Sequence, residues 1–158
     1  MNVVQKKIAL IGMPNTGKST FFNRLTGSTA RVGNWPGITV DLMTSKVILG
    51  DVFTQVIDLP GIYSFHGFSE DEKVVRSFLE RHPVDLICVI LNATQIDRQL
   101  SLALQVVQLG VPVLVLLNMQ KYGIQHIQAQ HLLNAYLQEQ QQLMQMDLLI
   151  HQIVQWVQ

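Results

Sequence analysis

Apolar positions change period repeatedly over the first 119 residues, and each change marks an element. Ile8-Ala9-Leu10-Ile11, Val111 to Leu117 and Leu86 to Leu91 are continuous apolar runs of strand length, the pattern of strands covered on both faces. Phe21, Phe22 and Leu25 instead follow helical spacing. The elements predicted are strand 6–11, helix 18–26, loop 28–40, strands 41–49 and 52–58, loop 59–70, helix 71–81, strand 85–91, helix 96–109 and strand 111–117. Alternating strands and helices imply a mostly parallel α/β sheet with helices on both faces and a ligand across the C-terminal strand ends. Strand 41–49 is amphipathic and runs into Gly50-Asp51, a hairpin signal, so it is expected to be the antiparallel edge strand. Beyond Gly123 there is no further Gly or Pro, and residues 125–145 read as a Gln-rich helix with Ile127, Leu132, Leu133, Tyr136 and Leu137 on one side.

Chemistry enters with Gly12-Met13-Pro14-Asn15-Thr16-Gly17-Lys18-Ser19, a G-x-x-x-x-G-K-S run between the first strand and the first helix. That context lets backbone N–H groups and a helix N-terminus converge on phosphate. Gly12, Asn15, Thr16, Gly17, Lys18, Ser19 and Thr20 are therefore the expected nucleotide-binding residues. Lys18 is expected to reach the β- and γ-phosphates and the Ser19 hydroxyl to ligate Mg²⁺.

Two later segments share this order. Val52 to Ile57 ends in Asp58-Leu59-Pro60-Gly61, which suits an aspartate serving Mg²⁺ and a Gly61 N–H meeting the γ-phosphate. The strand 111–117 ends in Asn118-Met119, expected at the base. Lys18, Asp58 and Asn118 lie 40 and then 60 residues apart, the layout of a small GTPase-like switch domain. The fold expected is thus a P-loop NTPase of the Ras-like G-domain type.

Between the first two motifs lies Val32-Gly33-Asn34-Trp35-Pro36-Gly37-Ile38-Thr39. This run resembles the first switch of the G domain of FeoB-type bacterial ferrous-iron transporters. So do Asp58 to Ser64, Ser69-Glu70-Asp71-Glu72, Asn92-Ala93-Thr94 and Leu109 to Val113, and the likeness extends from about residue 6 to residue 119. The resemblance implies a GTP-binding switch that hydrolyses GTP slowly to GDP and phosphate, with Thr39 as a ligand of Mg²⁺ and the γ-phosphate. It implies catalytic roles for Lys18, Thr39 and Gly61, Mg²⁺ at Ser19, Thr39 and Asp58, and K⁺ at Asn15. It also implies a cytoplasmic location, with a membrane iron permease or a second copy of the chain as partner. Trp35 is as readily an anchor of its loop as a direct participant.

The chain departs from the family pattern at two places. Where the family carries N-M-x-D, this chain has Asn118-Met119-Gln120-Lys121. Aspartate accepts from guanine N1–H and its amine, whereas lysine only donates, so guanine selectivity is in question. The sixth strand and its base-binding loop are also expected to be lost or replaced. One G domain over 1–158 is expected, with a nucleotide-binding core at 1–119 and an atypical helical remainder at 120–158. Met146 to Val154 resembles the family's closing helix.

Ile62 follows Gly61, where many GTPases place a water-orienting glutamine, and it has no polar group. Glu70 and Glu72 stand near, but exposed carboxylates at a helix start are the plainer expectation. Arg31 reads as a solvated loop residue before it reads as an arginine finger. The five histidines, His66, His82, His126, His131 and His151, show no metal-ligand spacing. Eleven basic and eleven acidic residues leave no net charge, which argues against nucleic acid as partner. No apolar run reaches the 18 residues of a membrane span, and Cys88 falls in a strand expected in the core. Against the switch stands a second function class, a degenerate nucleotide-binding or sensing domain with little hydrolysis and no guanine selectivity.

Overall fold

A computed structural model describes residues 5–119 and the backbone of the strand at 123–128. Seven strands run in the order β2-β3-β4-β1-β5-β6-β7. They are β1 (Gln5–Gly12), β2 (Arg31–Gly33), β3 (Leu42–Leu49), β4 (Val52–Asp58), β5 (Leu86–Asn92), β6 (Val113–Met119) and β7 (Gly123–Gln128). β1 pairs in parallel with β4 and β5, and β5 with β6, whereas β3 is antiparallel to both β2 and β4. The helices are α1 (Lys18–Thr26), α2 (Glu70–Arg81) and α3 (Ile96–Val107). The chain divides into two compact units, Met1–Ile127 and Gln128–Gln158, and beyond Gln128 the second lies outside the described residues.

Period two along β1 explains why both sheet faces are covered. Leu10 joins Val56, Cys88, Ile90 and Leu116 in a cluster closed by Phe22 of α1, with Phe21 and Leu25 beside it. Ala9 and Ile11 point the opposite way and are equally buried. α3 supplies Leu102, Ala103 and Val106, and α2 supplies Val74, Val75 and Phe78, each set at helical spacing. Truncating Phe22, which is 2% exposed, to alanine is expected to cost about 3–5 kcal/mol. Burial also pushes the Cys88 thiol up to about 12.

Two expectations are corrected. The sheet does have a strand beyond β6: residues 123–128 pair beside it, so residues 125–128 are not helical. The open edge of β6 offers unpaired backbone groups, and pairing them overrides a local sequence without strand character. The helix expected beyond residue 128, the base-binding loop and the closing helix lie outside the described residues. Strand β3 is not the edge either, because Arg31–Gly33 adds outside it, Val32 opposite Met43. Arg31 is exposed on that short strand.

The parallel register brings the motif-bearing ends level: Leu10 faces Asp58, Gly12 faces Ile90, and Asn92 faces Asn118.

Candidate functional site

The loop after β1 is held by backbone geometry rather than by its own side chains. Asn15 has a φ of 63°, the left-handed region that asparagine tolerates, and Gly17 follows at 90° to start α1. Beneath the loop, Gly12 accepts from Ile62 N–H at 3.0 Å and Leu10 accepts from Leu59 N–H at 3.3 Å, which ties the Asp58–Gly61 turn to β1. A side chain at Gly61 would press on the Pro14 backbone, 3.1–3.2 Å away. From β6, Asn118 Nδ2 donates to the Thr16 carbonyl at 2.8 Å and fills the space a side chain at Gly17 would need.

A cavity of about 610 Å³ lies over this loop, lined by Met13, Pro14, Asn15, Gly17, Lys18, Ser19, Thr20, Gly61 and Asp71. Lys18 Nζ reaches Asp58 Oδ1, and the two side chains are 10% and 12% exposed. The N-terminus of α1 carries no side-chain cap and no acidic residue in its first turn. Its first N–H groups are thus free to meet an anion from the cavity. α2 shows the contrast. Ser69 Oγ accepts from Glu72 N–H at 3.2 Å while Glu72 Oε2 accepts from Ser69 N–H at 3.0 Å, a complete capping box.

The sequence-predicted residues therefore divide. Asn15, Gly17, Lys18, Ser19, Thr20 and Gly61 line the cavity, while Gly12, Thr16, Asp58 and Asn118 support it from below. Met119 closes β6 beside Asn118. Thr39 is not among the lining residues. It lines a separate space of about 180 Å³ with Gly37, Ile38, Glu70, Lys73, Val74 and Ser77. Thr16 Oγ1 is buried without a partner.

The expectation of exposed carboxylates at the start of α2 is half corrected. Glu70 does sit in solvent, paired with Lys73 at 2.7 Å. Glu72 is buried, because the loop ahead of α2 folds back and hands it the Ser64 and Ser69 N–H groups. The Ser69 amide leads in holding the Glu72 carboxyl below its usual value, against its desolvation. Gln105 of α3 accepts from Phe65 N–H at 2.6 Å and from Ser64 Oγ at 3.1 Å, and Arg76 donates to the Phe65 and Gly67 carbonyls. Gln105 and Arg76, with no motif to flag them, join Glu72 in shaping the loop from Ser64 to Ser69. Ile62 is 1% exposed, so its side chain is core. Asp71, quoted above only as part of the Ser69–Glu72 run, lies on the cavity, and His82 beside Trp35 carries no sequence signal of its own.

Among the described residues no group of His, Cys, Asp and Glu is arranged to hold a metal by itself, and no helix is long and apolar enough to cross a membrane.

The topology and the phosphate-type loop beneath an uncapped helix define a P-loop G domain. The sequence model of the family described as Ferrous iron transport protein B matches residues 6–147, and the chain belongs to that family. It is 53% identical over 126 residues to the Fe(2+) transporter FeoB of Synechocystis sp., covering 77% of this chain and 20% of that protein. The chain thus spans a fifth or less of the length of the curated relatives it matches. Among solved structures, the G domain of the T. maritima FeoB iron transporter superposes with a TM-score of 0.63 at 30% identity, over 72% of this chain and 88% of that one. A mutant of S. thermophilus NFeoB bound to GDP superposes at 0.66 with 42% identity, over 73% of this chain and 45% of that one.

Proposed function

We propose that this chain is the nucleotide switch of a ferrous-iron transport protein, binding GTP and GDP and hydrolysing GTP slowly with Mg²⁺, stimulated by K⁺. The observation that carries the reading is the uncapped N-terminus of α1 opening into a cavity that also holds the Lys18 ammonium. GDP in the S. thermophilus relative supports a guanine nucleotide as its occupant.

Each residue has a role in this reading. The Lys18 ammonium exchanges Asp58 for the β- and γ-phosphate oxygens, and α1 N–H groups bind the same anion. The donor set fits a hard cation: the Ser19 hydroxyl is on the cavity, and among the described residues the side chain that holds the Asp58 carboxylate is a long, movable lysine. Ser19, Asp58 and, after movement of its loop, Thr39 would hold Mg²⁺, which when bound offsets charge on the phosphates. The Asn15 amide lines the same cavity and would hold K⁺. Gly61, also on the cavity, would offer its N–H to the γ-phosphate. Hydrolysis is slow because Ile62 is packed in the core and its N–H already serves Gly12, leaving no side chain there to orient water. In this reading the partner is a membrane iron permease or a second copy of the chain, and the domain faces the cytoplasm.

A second reading rests on Lys121, which replaces the aspartate that accepts from guanine. In that reading the domain binds nucleotide weakly, discriminates poorly between guanine and adenine, and hydrolyses little.

Titrating fluorescent GDP, ADP and a GTP analogue, then measuring phosphate release in K⁺ and in Na⁺, tests both readings. The switch requires guanine selectivity and faster release in K⁺, with the stimulation lost in Asn15→Ala. Equal rates in the two salts remove the K⁺ site, and equal GDP and ADP binding favours the second reading.

A further inference from the structure

The first switch loop is fastened to the far end of α2, away from the phosphate cavity. Trp35 stands edge-on to Phe78, with ring centroids 4.9 Å apart, and to His82 at 5.1 Å. His82 Nε2 lies 3.0 Å from the Pro36 carbonyl oxygen, and Arg81 Nη1 donates to the Gly37 carbonyl at 3.4 Å. Gly37 has a φ of 78°, and the Arg81 guanidinium occupies the place a side chain there would take. Every fastening point belongs to the last turn of α2 or to His82, which closes it.

Two features make this clasp releasable rather than part of the core. The Trp35 indole N–H is buried with no acceptor, a standing cost of the fastened state. Arg81 is exposed and His82 half-buried, so both hydrogen bonds compete with water. While the clasp is closed, Thr39 borders the small space it shares with Glu70, Lys73 and Ser77 rather than the phosphate cavity.

We propose that Trp35, His82 and Arg81 form a latch that holds the first switch open, and that a triphosphate ligand binds productively only when the latch releases. The proposal rests on the nucleotide reading above, because it gives Thr39 a destination. GDP lacks the γ-phosphate that Thr39 would meet and is indifferent to the latch. A GTP analogue pays for opening it, since apparent affinity falls with the fraction of molecules competent to bind. The latch therefore sets the preference between the two nucleotides without touching either.

The test compares the unaltered protein with an Arg81→Ala/His82→Ala variant and with Trp35→Ala, titrating Mg²⁺·GDP and a Mg²⁺·non-hydrolysable GTP analogue. Both variants should tighten the analogue roughly fivefold, the scale of one net hydrogen bond, and leave GDP unchanged. Trp156→Phe leaves Trp35 as the single tryptophan, and acrylamide quenching then reports the latch directly. Quenching should be low without nucleotide or with GDP and should rise with the analogue. Equal effects on both nucleotides, no effect on either, or quenching indifferent to the analogue overturns the latch and leaves the nucleotide reading standing. Failure of the unaltered protein to bind any nucleotide overturns both.

Discussion

Lys18 and Asp58 hold each other at the base of the phosphate cavity, one from the first turn of α1 and the other from the end of β4. Each neutralises a charge that the other would leave poorly solvated, and in the proposed reading each takes a separate task, Lys18 on the phosphates and Asp58 on Mg²⁺.

Replacing Lys18 should therefore do two things. Lys18→Ala is expected to abolish nucleotide binding while the domain stays folded, as is Ser19→Asn. It should also lower stability by about 1–3 kcal/mol, because the Asp58 carboxylate is left unpaired in a mostly buried position. The Lys18→Ala/Asp58→Ala double variant should regain part of that loss. Urea denaturation and GDP titration read the two effects separately. Unchanged GDP affinity in Lys18→Ala would remove the phosphate-loop assignment.

Asn118→Ala tests the support beneath the loop. Losing the 2.8 Å bond to the Thr16 carbonyl should cost about 0.5–1.5 kcal/mol of stability. It also removes the side chain packed under Gly17. Affinity for GDP and for ADP should fall together, because the loop that holds the phosphates is common to both. A loss confined to GDP would assign Asn118 to the base alone.

Lys121→Asp addresses selectivity. An aspartate there supplies the acceptor that guanine requires and should tighten GDP by about 1.5–3 kcal/mol, the worth of a charge-assisted hydrogen bond. ADP should not respond. If the unaltered protein already binds GDP tightly and selectively, another residue provides the acceptor.

Glu72 predicts a pH dependence. The Ser69 amide, ahead of the other donors, lowers its folded-state pKa below the usual 4.5. A depressed carboxylate contributes stability that is complete above the unfolded value and is lost as pH falls through the folded one. Melting temperature should thus fall more steeply on acidification below about pH 4.5 in the unaltered protein than in Glu72→Gln. Parallel curves for the two proteins would contradict this.

Sequence and structure agree where local pattern and backbone demand coincide. The phosphate loop was legible because its glycines, lysine and flanking strand and helix are all contiguous. Asp58 and Asn118 were legible because each ends an apolar run that reads as a strand. Glu72 was misjudged for a reason local reading cannot escape: its burial comes from the Phe65–Ser69 loop folding over it, held by Gln105 and Arg76. His82 carries no motif, and its importance arises only because α2 ends beside Trp35.

By itself, the sequence determined the α/β class, the boundaries of most elements and which residues gather at the loop after β1, since periodicity and contiguous turn chemistry act over a few residues. Only the tertiary structure decided that residues 123–128 form a strand, because the unpaired edge of β6 rewards pairing more strongly than local composition opposes it. The same holds for Thr39. The resemblance implies a ligand for Mg²⁺, but its position follows from where Trp35 finds aromatic partners, and those lie at the end of α2, more than forty residues away in sequence.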